Sequence, residues 1–141
     1  MEVPQTNMVR EHETFFRVRY SECDQQGIVH HSRYLIYFEQ GRIELLRASG
    51  YDYRKMEEMG VLVVVAHMDV HYMRPARYDD ELRLVTRVVK VSYAKIEHEY
   101  ELYCGETLLV KAKSKLAAVN REGKVISVPP EFGGPCESQI F

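Results

Sequence analysis

Between Ser32 and Gly50, Tyr34, Phe38, Gly41 and Leu45 recur at i, i+4, i+7 and i+11, and Leu35, Ile43 and Leu46 widen the stripe. That is the period of a long amphipathic helix. Ser32 is a candidate N-cap and Gly50 a candidate stop, while Glu39 with Arg42 and Glu44 with Arg47 stand as i, i+3 ion pairs. With apolar groups around much of its circumference, this helix is expected to be largely enclosed. A shorter helix is predicted over Tyr53 to Met59, closed by Gly60. Everything after it reads as strand, so one long helix must be buried by a sheet.

Phe15 to Tyr20 alternates as a first, half-buried strand, with Phe16, Val18 and Tyr20 on one side. In Leu62 to Met73 the even positions form an unbroken apolar face opposite His67, Asp69 and His71. Leu82 to Val91 is less regular. Ile96, His98, Tyr100 and Leu102 alternate with Lys95, Glu97, Glu99 and Glu101, and Leu108 to Val119 sets Lys111, Lys113 and Lys115 against Val110, Ala112 and Leu116. A helix followed by a four-stranded antiparallel meander can bury its stripe by lying across the concave face of the sheet, which makes the chain α+β. One helix cannot cover a whole sheet, so a second copy is expected against the uncovered edge or face.

At 141 residues the chain fits one domain of the usual size, roughly 100 to 200 residues. We read residues 1–141 as that domain, with a core over about 13–128 and loosely held ends. The first twelve residues are polar, and from Pro129 onward Pro129, Pro130, Gly133, Gly134 and Pro135 crowd together.

Nineteen Lys and Arg against twenty-one Asp and Glu leave a net charge of -2, without the cationic excess that neutralises a phosphate backbone, so nucleic acid is not an expected partner. The longest aliphatic run, Val61 to Ala66, is far short of the ~20 residues of a membrane span, and no basic-then-apolar leader pattern is present. A cytoplasmic location is expected. Cys23, Cys104 and Cys136 are odd in number and widely spaced, which suits neither a disulfide framework nor a zinc knuckle.

The chain contains no Gly-x-Ser-x-Gly elbow, phosphate-cradling glycine loop or His-Glu-x-x-His helix. What remains is the loop Tyr20 to Ser32, which delivers Asp24, Gly27, His30 and His31 directly to the start of the long helix. There the unpaired N–H groups and the macrodipole would stabilise an oxyanion. A thioester carbonyl docked against a free N–H, such as that of His31, would be polarised as it becomes tetrahedral, an effect worth ~3 kcal/mol per well-placed donor. Asp24 could attack that carbonyl or orient a water. Equally, Asp followed three positions later by Gly is ordinary turn chemistry. His30 and His31 make a poor metal pair, being adjacent and without a third ligand. His67, Asp69 and His71 share a strand face and read more simply as a polar surface row. Lys111, Lys113 and Lys115 could hold the phosphates of an acyl carrier, though charged outer strand faces are routine.

The pattern Tyr20-x-x-x-Asp24-x-x-Gly27-Ile28-Val29-x-His31-x-x-Tyr34-x-x-x-Phe38-Glu39-x-x-Arg42, followed by Arg74-Pro75-Ala76-Arg77-Tyr78-Asp79-Asp80, resembles the 4-hydroxybenzoyl-CoA thioesterase family of hotdog proteins. Within it, the resemblance is to the acyl-CoA thioesterase branch associated with the Tol-Pal system, over residues 13 to 128. It implies a hotdog fold, a five-stranded antiparallel sheet wrapped around the central helix, assembled as a homodimer or homotetramer with sites between subunits. It implies hydrolysis of an acyl-CoA to a free acid and CoA without a cofactor or metal, with Asp24 as nucleophile or base and His31 as a polarising or positioning group. Tyr20 is expected to shape the acyl pocket, and Gly27 and His30 are candidate substrate-binding positions beside it. Two residues depart from the branch, Cys23 where threonine is usual and His30 where an aromatic is common, and both bear on pocket polarity. Two other functions compete: a hotdog module that holds acyl thioesters or a protein partner without hydrolysis, and a hotdog dehydratase, which needs a different arrangement of His and acid.

Overall fold

A computed structural model describes residues 9–130. The glycines and Pro135 of the C-terminal tail, and Cys136, lie outside that range. The elements run β1 (Glu11–Arg17), a 3-10 turn (Tyr20–Glu22), α1 (Arg33–Ala48), α2 (Tyr53–Glu58), β2 (Leu62–Tyr72), β3 (Glu81–Val91), β4 (Lys95–Cys104) and β5 (Thr107–Val119). The five strands form one antiparallel sheet in the order β1-β3-β4-β5-β2, which leaves β1 and β2 as its edges.

The long helix forms where its period places it. Tyr34, Tyr37, Phe38, Gly41, Arg42, Leu45 and Leu46 are buried, and Gly50 ends it at φ +87°. The helix packs across β1 and β3, with Phe38 tilted on Tyr100 at 4.7 Å between ring centroids. Gly41 lets the backbone approach β3 closely: a Cβ there would lie 2.5 Å from Thr86 Oγ1 and 2.7 Å from Leu84 Cδ2. Enclosure is less complete than the sequence suggests, because Leu35 and Ile36 are exposed in the single chain. α2 starts at Asp52, whose side chain accepts from the Lys55 N–H.

Five expectations need correction. The four strands after the helices are not one meander: β3, β4 and β5 are, but β2 crosses to the far edge and pairs with β5, not with β3. β1 begins at Glu11, inside the stretch read as a loose extension, because residues 11–17 pair with β3. Tyr20 is not the end of that strand but the first residue of the 3-10 turn. The apolar face of β2 is not unbroken: the register against β5 slips between Val65 and His67, so Ala66 is an extra residue. Opposite Ala118 and Leu116, it is Val63 and Val65 that share the core side, and Leu62 and Val64 lie on the outer one; past the bulge Met68 and Val70 take the core side. Finally, Glu39 and Arg42 do not form an ion pair among the described residues, whereas Glu44 and Arg47 do. Arg42 turns inward to the hydroxyl of Tyr100 at 3.0 Å.

The outer sheet face is a charge ladder. Glu97, Glu99 and Glu101 lie opposite Lys115, Lys113 and Lys111, which lie opposite His67, Asp69 and His71. Arg87 bridges Glu11 and Glu101. The lysines are thus matched by acids in register, which weakens the reading of them as a phosphate grip. His71 pairs with Asp69 at 3.2 Å, and no group of three metal-ligating side chains converges among the described residues.

Candidate active site

The chain between the 3-10 turn and α1 folds back on itself as a narrow hairpin. Glu22 O accepts from the His30 N–H at 2.9 Å, Cys23 bridges Val29, and the Asp24 N–H donates to Ile28 O at 2.8 Å. Its tip is a turn closed by the Gly27 N–H on Asp24 O at 3.0 Å, with Gly27 at φ +81°. That left-handed conformation is why glycine stands there. One oxygen of the half-buried Asp24 side chain accepts from the Gln26 N–H at 2.8 Å; its other oxygen has no hydrogen-bond partner among the described residues. Asp24 therefore both shapes the turn and keeps one carboxylate oxygen free.

The hairpin is docked on the segment that contributes the second half of the sequence motif. The Val29 N–H donates to Ala76 O at 2.9 Å, Ile28 bridges Arg77, and the Ala76 N–H donates to the buried Tyr34 hydroxyl at 3.1 Å. Asp80 caps the same segment by accepting from the Arg77 N–H. From the helix side, the Tyr37 hydroxyl donates to Glu22 at 2.9 Å, and the same oxygen accepts from the Arg19 N–H at 2.8 Å.

At its other end the hairpin passes through His30 and His31 into α1. Ser32 occupies the N-cap position but its side chain does not cap: its hydroxyl pairs with His30 Nδ1 at 2.8 Å, and its N–H donates to the same nitrogen at 3.2 Å. The first turn of α1 holds no acidic side chain either, so its positive end is left uncompensated. The His31 N–H has no acceptor among the described residues. The exposed rings of His30 and His31 lie 4.2 Å apart, and His31 O accepts from the Tyr72 hydroxyl at 3.0 Å, which anchors the helix entrance to the end of β2.

Tyr20 is 79% exposed and meets Tyr78 edge-on at 5.4 Å. The structure thus brings Tyr20, Asp24, Gly27, His30 and His31 onto one docked loop, while no hydrogen bond joins Asp24 to His31 among the described residues. Burial, and then the carboxylates of Glu22, Asp24 and Asp80, raise the pKa of the Cys23 thiol. That argues against Cys23 as a nucleophile, since the reactive form is the thiolate. Sequence reasoning missed Glu22, inside the loop, and Tyr37 and Tyr72, which hold the loop from outside it at positions with no telling spacing.

Residues 18–134 match the family described as the thioesterase-like superfamily. The chain belongs to that superfamily. The acyl-CoA thioesterase YbgC of Haemophilus influenzae is 35% identical over 117 residues, spanning 82% of this chain and 86% of that protein. A crystal structure from Aquifex aeolicus superposes with a TM-score of 0.82 at 36% identity, covering 85% of this chain and 94% of its own. The DHNA-CoA thioesterase from Staphylococcus aureus gives a TM-score of 0.80 at 25% identity, over 83% of this chain and 80% of its own. The sheet and central helix make the hotdog fold of this superfamily.

Proposed function

We propose that this chain is an acyl-CoA thioesterase that converts an acyl-CoA and water to a free carboxylic acid and CoA, and that it belongs to the Tol-Pal-associated branch of the 4-hydroxybenzoyl-CoA thioesterase family. The observation that carries this reading is the free His31 N–H at the approach to α1, whose first turn holds no acidic side chain, reached through a hairpin that holds Asp24 with one carboxylate oxygen unpartnered. The named activities of the relatives, YbgC above all, support it.

A thioester carbonyl at the helix start would accept from the His31 N–H, and its oxygen would gain negative charge where the helix end is positive. Asp24 either attacks the carbonyl carbon, giving a mixed anhydride that water then cleaves, or takes a proton from a water that attacks directly. In both routes the C–S bond breaks and the sulfur leaves with the CoA. His31 positions or polarises the carbonyl, and Tyr20, Gly27 and His30 flank the substrate. No cofactor takes part, CoA being a portion of the substrate. The chain acts as a single cytoplasmic domain in a homodimer or homotetramer, the bare edge of β2 and the exposed Leu35, Ile36 and Val64 supporting a second copy there.

The test is thiol release over a panel of short, medium, long and aroyl CoA esters. Turnover of at least one class is expected; tight binding across the panel with no thiol released would instead favour a non-catalytic acyl-thioester module.

A further inference from the structure

Because α1 packs mainly over β1 and β3, its other flank leaves a cavity of about 300 Å³ toward β2 and β5. Ile43, Val63, Val65 and Leu116 give it apolar walls, and Arg42 and Tyr53 a polar interior. Arg42 is the anomaly. It is only 7% exposed, yet among the described residues no carboxylate pairs with it.

Its Nη1 donates to the Tyr100 hydroxyl, which shares a hydrogen bond with Ser114 Oγ at 2.6 Å, and its Nε has no acceptor. Burial opposes the charge on Arg42, but the hydroxyls of Tyr100 and Tyr53 outweigh it and raise the pKa, so the group remains a cation. His98 lies alongside, also buried, with Nδ1 unpartnered; burial and then Arg42 push its pKa down to about 3, leaving it neutral. The Nε is sealed from the cavity, so what the cavity offers a ligand is the charge of a guanidinium that meets only neutral hydroxyls and would gain from an oxygen acceptor.

Resting on the thioesterase reading above, we propose that this cavity is an acyl subsite in which Arg42 selects acyl groups carrying an oxygen acceptor, a hydroxyl or a carboxylate, at their far end. The volume suits it: at about 300 Å³ this half-open groove lies at the lower end of small-molecule sites and takes the end of an acyl chain. The place suits it as well. Arg42 lies nine residues into α1, about 14 Å from its first residue, so the cavity meets the far end of an acyl chain and not the thioester carbonyl. The apolar walls take the carbon skeleton and the guanidinium takes the oxygen. Glu39 and Glu57 also line the cavity but are exposed, and solvent screens them more than it screens Arg42.

The test compares dodecanoyl-CoA, ω-hydroxydodecanoyl-CoA and dodecanedioyl-CoA, which differ only at the chain end. The wild-type chain should favour at least one oxygen-bearing ester over dodecanoyl-CoA by about tenfold in kcat/KM, and the stronger arm identifies the acceptor. Arg42→Met should bring that ratio to near one. Should Arg42→Met fail to fold, Val65→Phe narrows the cavity without touching the Arg42, Tyr100 and Ser114 chain, and should also erase the preference. Calorimetric titration of the wild type with the non-hydrolysable thioether analogues of the same three esters separates this proposal from hydrolysis itself. Preferential binding of an oxygen-bearing analogue upholds the subsite even if no ester is cleaved. Equal handling of all three chains, or a preference that survives Arg42→Met, overturns it.

Discussion

The buried phenol of Tyr37, on the second turn of α1, donates to the Glu22 carboxylate at 2.9 Å and fastens the helix to the loop that carries Asp24. Burial, and then the bond to Glu22, raise the Tyr37 pKa far above the usual phenol range, so the group remains a donor. Tyr37→Phe should cost about 1.5 kcal/mol in urea denaturation, the scale of a hydrogen bond to a charged group. It should also lower kcat more than it changes KM, because the loop's geometry is disturbed while the substrate surface is retained. An unchanged kcat would show that this clamp does not matter to turnover.

Gly41→Ala tests the packing of helix on sheet. The added methyl would meet Thr86 Oγ1 and Leu84 Cδ2 below 3 Å, and both neighbours are themselves fully buried. Overpacking of about 1–3 kcal/mol is expected, despite alanine's better helix propensity. A stabilised variant would mean that α1 can lift from β3 at little cost.

His98 should make stability fall with acid. Its pKa drops from 6.5 to about 3 on folding, by burial first and then by Arg42, so the unfolded chain binds the proton more readily. The contribution is fully present above pH 6.5 and is lost as pH falls toward 3, at roughly 1.4 kcal/mol per pH unit within that window. Unfolding free energies measured between pH 6 and 4 should approach that slope, and His98→Phe should flatten it. The same slope in the variant would place its origin elsewhere.

The edge strand β2 leads to a prediction about assembly. Val64, on its outer side, is exposed, and only β5 pairs with β2 within the sheet. Sedimentation of the full chain should give a dimer or tetramer, and Val64→Lys should weaken association, since a charge on an edge strand opposes edge pairing. A wild-type chain that sediments as a monomer at working concentration would contradict the proposed assembly.

Much of this arrangement is legible in the residues. The 3.6-residue stripe of Tyr34, Phe38, Gly41 and Leu45 locates α1, and the strict alternation of Ile96, His98, Tyr100 and Leu102 gives the buried face of β4. The loop with Asp24 and Gly27 is visible because a turn needs those residue types at that spacing. What escapes is whatever depends on a partner distant in sequence. The extra residue at Ala66 looks like any other member of an apolar run, and only pairing with β5 shows that it reverses which valines face inward. Glu11 and His12 look like a polar tail until β3 lies beside them. Arg42 sits three residues from Glu39 as an ion pair would, yet the Tyr100 hydroxyl, 58 residues away, captures it instead.

The most direct measurement compares thiol release by the wild-type chain and by Asp24→Asn, on an acyl-CoA that the wild type turns over, with denaturation midpoints taken in parallel. The account predicts a loss of at least about a hundredfold in kcat with the midpoint little changed, because asparagine can still accept from the Gln26 N–H but can neither attack nor take a proton. Full turnover by a folded Asp24→Asn chain would contradict it.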